Sequence, residues 1–245
     1  MSEPSVRTDL QANYANYYSD GDSEWRRLGA IDKTSNVVDL CGAHPHDSLL
    51  EIGAGEGSLL KQLSDRGFAR DLYALEISES GVRTIKGKNI ERLRECGLFD
   101  GYRVPYESGR FDVAVLSHVV EHVEHPRLLI AEAARVAKLV FVEVPLEDTL
   151  GMSHDFVLDD VGHINFYSPN TIRYLLQSCG LQVLSQRISG SSREVYRYQR
   201  GAKGVLIHAI KRAALAVAPS LAVRMFSYHS SLLCRPRTNQ GSFTK

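Results

Sequence analysis

From residue 48 onward, short and nearly continuous apolar runs alternate with stretches whose apolar residues recur at helical spacing. SLLEI (48–52) is followed by the Gly-rich GAGEG (53–57) and then by SLLKQLSDRG, in which Leu59, Leu60 and Leu63 share one helical face before Gly67 closes it. That order predicts a strand, a tight loop and a helix. The same alternation predicts strands over 71–77, 98–104, 111–117 and 139–144, with helices over 79–95 and 126–137. Apolar strands separated by helices pack as a parallel sheet covered on both faces, so the expected fold class is α/β, a doubly wound Rossmann-like sheet.

The flanks read differently. Residues 1–44 are polar, spotted with Tyr14, Tyr17, Tyr18 and Trp25, and helix-compatible over 24–41; they are expected to form an N-terminal helical cap. Residues 145–168 are rich in Asp, His and Gly and show little periodicity, which predicts a long loop of the kind that is usually functional. A helix should follow over 169–179, opened by Ser168-Pro169-Asn170 and closed by Gly180. Residues 181–188 predict a strand, 202–216 an amphipathic helix and 226–234 a final strand, while 236–245 read as a disordered tail. With no repeat or dividing linker, residues 45–235 are expected to form one domain.

Composition narrows the class. The chain has 245 residues, 43% hydrophobic and 24% charged, as soluble globular proteins do. Cys41, Cys96, Cys179 and Cys234 form no CxxC pair, which argues against a disulfide framework and a structural zinc site. The N-terminus lacks an apolar signal core, and the longest mostly apolar stretch, 213–223, is too short to span a bilayer and contains Pro219. The expected location is the cytoplasm. Net charge is zero, yet residues 186–245 hold 11 Lys/Arg against one acid, Glu194, leaving +10 there and −10 on the rest. Such a basic section reads as a solvated face, or as contact with an anionic substrate, a nucleic acid or a membrane surface.

The GAGEG loop sits where a strand hands over to a helix, so its backbone can approach a ligand closely beneath helix N-terminal amides. The dinucleotide fingerprint G-x-G-x-x-G fits it imperfectly, because the glycines fall at 53, 55 and 57 and Ser58 stands in the third place. Glu51, before the loop, would repel a pyrophosphate and suits a cofactor bearing a sulfonium or ammonium charge. That favours S-adenosyl-L-methionine over NAD. Glu76, 25 residues beyond Glu51, stands where a carboxylate accepts hydrogen bonds from ribose hydroxyls.

Over residues 45–190 the sequence resembles the class I S-adenosylmethionine-dependent methyltransferases. The matching stretches are LLEIGAGEG (49–57), LYALEIS (72–78), FDGYRVPYESGRFDVAVLSHVVEHVEHP (99–126), LVFVEVP (139–145) and GHINFYSP (162–169). The third is similar to the small-molecule branch that includes ubiquinone-biosynthesis O-methyltransferases. The resemblance implies a mostly parallel sheet with an antiparallel last strand, supplied from 181–188 and 226–234. It implies that Glu51, Gly53, Ala54, Gly55 and Gly57 surround the methionine part of S-adenosyl-L-methionine. Glu76 would hold the ribose, Ile77 flank the adenine, Asp100 and Gly101 lie near its amino group, and Ser117 and His118 line the floor under the methyl.

Methyl transfer from a sulfonium is an in-line displacement that needs alignment and exclusion of water, and a hydroxyl acceptor gains from a base such as histidine. His118, His122, His125, His154 and His163 fall on segments after the fourth and fifth strands, the edge where ligands bind in open α/β sheets. His163 or His118 is the expected base. His118 and His122, with Glu121 beside them, lack a carboxylate trio, so no metal is expected. Phe166 and Tyr167 either wall an acceptor or pack the loop. A nucleic-acid substrate is disfavoured because the region with the active site is acidic, although REVYRYQR (193–200) interleaves arginine with aromatics. Peripheral membrane contact through the basic helix 202–216 is the further partner reading, its plainer alternative being that this helix covers the sheet. The sequence leaves oligomeric state open. The function expected is methylation of a small molecule, most readily at a hydroxyl oxygen. The alternatives are N- or C-methylation, an NAD-dependent dehydrogenase, or a cofactor-binding protein without catalysis.

Overall fold

The structure, a computed structural model, describes residues 23–156 and 162–237. Seven strands form one sheet: β1 (Ser48–Ile52), β2 (Asp71–Glu76), β3 (Leu93–Leu98), β4 (Phe111–Ser117), β5 (Ala137–Leu146), β6 (Leu181–Ser189) and β7 (Tyr228–Pro236), in the order β3-β2-β1-β4-β5-β7-β6. Strands β1 to β5 pair in parallel, whereas β7 runs antiparallel to both β5 and β6. The helices are α1 (Ser23–Cys41), α2 (Ser58–Asp65), α3 (Glu79–Gly87), α4 (Pro126–Val136), α5 (Pro169–Ser178), α6 (Arg193–Val217) and α7 (Pro219–Met225). None of them is long and apolar enough to cross a membrane.

The central strands are apolar on both faces because helices cover both. Leu50, Leu116 and Val140 point into one core, while their neighbours Leu49, Val115 and Phe141 point into the other. Helices meet these cores through short apolar faces, Leu59, Leu60 and Leu63 on α2 and Ile172, Leu175 and Leu176 on α5. The α5 start is fixed by a capping box between Ser168 and Thr171. Strand order reverses between β1 and β4, so the segments that follow them part and open a crevice.

The expectations for residues 79–104 change. The helix begun at 79 ends at Gly87 and Asn89 takes a positive φ of 49°, so the third strand is 93–98 and not 98–104. As an edge strand, half exposed and bearing Arg94 and Glu95, it has no apolar run to betray it. Residues 100–103 are instead a turn in which the Asp100 side chain accepts from the backbone N–H of Tyr102 (2.8 Å) and Arg103 (2.6 Å). The helix expected at 202–216 is present: a first helical segment from Arg193, capped by Ser192, is broken at the non-helical Gly201, and a second runs from there to Val217. The expected N-terminal cap is described only from Ser23, and Tyr14, Tyr17 and Tyr18 lie outside the described residues, as do most of the tail and residues 157–161.

Candidate active site

The crevice holds a cavity of about 430 Å³ bounded by the β1–α2 loop, the ends of β4 and β5, one face of α1 and the first turns of α6. The Gly-rich loop folds as it does because Gly53, Gly55 and Gly57 all take positive φ (75°, 57° and 78°), where a side chain would be strained. Space is lacking too, since a Cβ on Gly53 would stand 2.7 Å from Val119 and one on Gly57 2.9 Å from Ile85. The Leu75 carbonyl accepts from the N–H groups of Gly53 (2.8 Å) and Ala54 (3.0 Å), which ties the loop to β2.

Glu51, Gly53, Ala54 and Gly55 line the cavity, together with Ser117, His118 and His163. Glu51 is buried, and burial lifts its carboxyl to about 8 against the attraction of Lys33. Its Oε2 and the Ser117 hydroxyl are buried without a hydrogen-bond partner among the described residues. Buried polar atoms are seldom left so. An acid and a hydroxyl awaiting partners beside a glycine cradle suit a cationic ligand rich in donors.

Gly57, Glu76, Ile77, Asp100 and Gly101 stand off the cavity lining. Glu76 lies directly behind the loop: Oε2 accepts from Gly55 N–H (2.8 Å), and Oε1 accepts from the backbone N–H (3.1 Å) and hydroxyl (2.9 Å) of Ser78. Gly81 must lack a side chain here, as its Cβ would stand 2.6 Å from both Glu76 Cγ and the Gly55 carbonyl.

The histidines separate into three fates. His154 is exposed, and His125 opens α4 against the Tyr102 ring, neither of them on the cavity. His118, strained at a φ of 57°, is wedged between carboxylates, Nδ1 3.3 Å from Glu121 Oε1 and Nε2 3.3 Å from Glu143 Oε1. Burial and Lys33 oppose its charge, yet the two carboxylates prevail and its pKa is raised. Glu143 accepts from Asn36 (2.7 Å) and Ser231 (2.6 Å), and against burial His118 first, then His229 and Ser231, bring it down to about 2.

The third fate is a pair. His122 and His163 lie 4.7 Å apart between ring centroids. His122 Nδ1 is 3.2 Å from the Gly162 carbonyl, and burial lowers its pKa against the pull of Glu121. His163 Nδ1 is 2.8 Å from Glu147 Oε2. Their segment is laid across the end of β4 by Asn165, whose side-chain amide donates to the carbonyls of Val120 (3.2 Å) and Val123 (2.8 Å). Tyr167 is buried in the core and Phe166 meets Phe156, so neither walls the cavity. Glu121, His122 and His163 each offer a ligand atom within 4.8 Å of one another.

Sequence reasoning missed contributors from α1 and β7. Trp25, Gly29 and Lys33, one turn apart on α1, form a wall, and Asn36 on the next turn anchors Glu143. Helical spacing could have grouped them, but nothing local said which way the helix faced. His229, on β7, stacks edge-on against His118 at 4.9 Å, and burial lowers it to about 4.

A family model described as a methyltransferase domain matches residues 22–186. The chain belongs to that methyltransferase family. The dehydrogenase reading ends there. Among curated relatives, this methyltransferase is 30% identical over 46% of its length to the demethylmenaquinone methyltransferase of Renibacterium salmoninarum, covering 43% of that protein. It is 29% identical to the ubiquinone biosynthesis O-methyltransferase of Hahella chejuensis over 56% of this chain and 57% of the relative. The chain thus spans about half the length of the curated relatives it matches. In fold it superposes on phosphoethanolamine N-methyltransferase 2 of Haemonchus contortus, solved with S-adenosyl-L-methionine, at a TM-score of 0.64, with 10% identity, 94% of this chain and 60% of that one covered.

Proposed function

We propose that this methyltransferase moves a methyl group from S-adenosyl-L-methionine to a hydroxyl oxygen of a small molecule, with His163 receiving the proton. The observation that carries this reading is the His163–Glu147 contact of 2.8 Å on the cavity wall. A carboxylate on Nδ1 fixes the proton there and leaves Nε2 as the basic atom. His118 is the weaker candidate, since its ring lies between Glu121 and Glu143, whose carboxylates favour its charged form over the neutral form a base needs.

The residues suit the cofactor. Glu51, Gly53, Ala54 and Gly55 would hold its cationic methionine part, with Ser117 beneath. Glu76 retains lone pairs beyond its three donors and would take the ribose, with Gly57 shaping the turn, Ile77 beside the adenine, and Asp100 and Gly101 at its rim. When bound, the cofactor supplies an electrophilic methyl on a sulfonium. The chain's part is to orient the acceptor, exclude water and accept one proton at His163 Nε2. Free cysteines agree with a reducing, cytoplasmic setting. The likeness to an O-methyltransferase agrees with oxygen, while a relative named a C-methyltransferase and a neighbour named an N-methyltransferase keep carbon and nitrogen as the alternatives.

The test is a panel of hydroxylated aromatics, sugars and amines read by S-adenosylhomocysteine release, with the methyl located by mass spectrometry. Methyl on oxygen supports the reading. Methyl on nitrogen or carbon would replace it, and S-adenosyl-L-methionine binding without turnover of any acceptor would remove it.

A further inference from the structure

Helix α6 lies beyond the stretch matched by the family. Its first segment walls the cavity with Val195 and Gln199; Gly201 then breaks the helix, and the second segment packs back on the first, Gly204 against the Tyr196 carbonyl and His208 against the Tyr196 ring (5.8 Å). Between Ala202 and Val217 the one buried residue is Gly204. Leu206, Ile210, Ala213 and Val217 are exposed at spacings of four, three and four, which makes them one continuous stripe. Val217 is 85% exposed and Leu206 62%. The opposite side is the one that packs: Tyr228 OH donates to the Lys211 carbonyl (2.6 Å), and Lys211 Nζ donates to the Ser227 carbonyl (2.6 Å).

Neighbouring elements extend the stripe. On α7, Leu221 and Met225 are exposed one turn apart. Leu150, Met152 and Phe156 are exposed on the segment after β5, and Leu150 N–H donates to the Arg224 carbonyl at 2.8 Å, which seats that segment against α7. A single exposed leucine is ordinary, but a row shared by three adjoining elements is an interaction surface. Its charge identifies the partner. Lys203 and Arg224 are exposed beside the stripe on the two helices, and Glu194 is the one acid between residues 186 and 245, while the segment after β5 carries the exposed Asp148 and Asp155. Two copies of this face would meet with like charges opposed, and a nucleic acid would leave the apolar stripe in water. An anionic bilayer satisfies both features.

We propose that α6 and α7 dock this protein on an anionic lipid surface, the Leu206–Val217 stripe settling at the headgroup boundary while Lys203 and Arg224 beside it meet lipid phosphates. The docked segment is tied to the one that walls the cavity by the turn at Gly201 and by the Tyr196–His208 ring contact. Docking needs neither cofactor nor acceptor, so it stands or falls apart from the methyl-transfer reading.

The test is flotation of the full chain with phosphatidylcholine vesicles, with and without phosphatidylglycerol. The chain should float with the anionic vesicles at low salt and stay behind with the neutral ones. The double variant Ile210→Glu/Val217→Glu should lose about tenfold or more in partitioning. Lys203→Gln/Arg224→Gln should lose about 25-fold, each basic residue near such a surface being worth roughly fivefold. Both variants should melt as the wild type does, because every altered side chain is exposed. Wild type that ignores anionic vesicles, or variants that float as well as it does, would overturn the proposal. So would a wild-type dimer in sedimentation that Ile210→Glu/Val217→Glu turns into monomer without any flotation, which would assign the stripe to a second copy.

Discussion

His163 Nδ1 and Glu147 Oε2 stand 2.8 Å apart on the cavity wall, although they are sixteen positions apart in sequence. A carboxylate in that position orients the imidazole and stabilises the charge it gains on accepting a proton. His163→Ala should therefore lower kcat by about 10²–10⁴-fold, the usual worth of a positioned base. Glu147→Gln should lower it less, because the ring stays in place with its support weakened. Titration calorimetry should find S-adenosyl-L-methionine affinity unchanged in both. If both variants turn over at the wild-type rate, alignment alone carries the reaction.

His118 calls for a different result. Removing it strands Glu121 and Glu143 in the interior without their shared cation, and breaking a buried pair in this way typically costs about 3–5 kcal/mol. His118→Ala should show this in denaturant melts. The pH dependence has two edges. The folded pKa of His118 is raised above its ordinary value of 6.5, so its contribution is complete below pH 6.5 and is lost as pH climbs through the folded value. Glu143 is depressed from 4.5 to about 2, so its contribution is complete above pH 4.5 and is lost as pH falls towards 2. In His118→Ala both edges should flatten. A variant as stable as wild type across that range would return His118 to the list of bases.

What could be read from the sequence follows how local each cause is. β1 and β4 lie in the middle of the sheet with helices on both faces, so burial wrote itself as SLLEI and FDVAVLS. β3 lies at an edge, where Arg94 and Glu95 are as acceptable as apolar residues, and no pattern marked it. The glycine cradle was legible because one turn makes it. The His163–Glu147 contact was not, because Asn165 sets it by reaching back to carbonyls more than forty residues away. Helix α1 was legible as a helix and silent as a cavity wall, since its facing is decided by long-range partners such as Asn36 with Glu143 and Asp39 with Arg187.

Turnover should be independent of added metal. Glu121, His122 and His163 are near enough to share an ion, but Glu121 already faces His118, and the proposed proton transfer occupies His163 Nε2. Activity should survive prolonged EDTA treatment. Loss on chelation, with recovery on adding magnesium, manganese or zinc, would make that trio a ligand set and move His163 from base to ligand.

The Gly-rich loop and its acid should fail together. Glu76 accepts three hydrogen bonds that pin Gly55 and Ser78, so Glu76→Ala loosens the cradle as well as removing the ribose carboxylate. Hydrogen bonds to a charged group are worth about 1.5–3 kcal/mol each, and a loss of about tenfold or more in S-adenosyl-L-methionine affinity is expected. Gly53→Val should do the same through its collision with Val119. Normal binding by folded Glu76→Ala would undo the assignment of the end of β2.

Glu51 should make cofactor binding depend on pH. Its carboxyl, raised to about 8 by burial, keeps its proton at neutral pH in the empty cavity. A cationic methionine group placed beside it favours the ionised form, so binding should expel a proton at any pH below that value. Calorimetry in buffers of different ionisation enthalpy should detect up to one proton released per cofactor bound, with affinity rising by up to about tenfold per pH unit until pH approaches 8. Above that the carboxylate is already charged and the dependence should vanish. Glu51→Gln keeps the shape and has no proton to lose, so its affinity should be lower and flat across the same range. If the wild type releases no proton, or if the variant releases as much, the cation does not sit against Glu51 and the methionine part must be held elsewhere in the cavity.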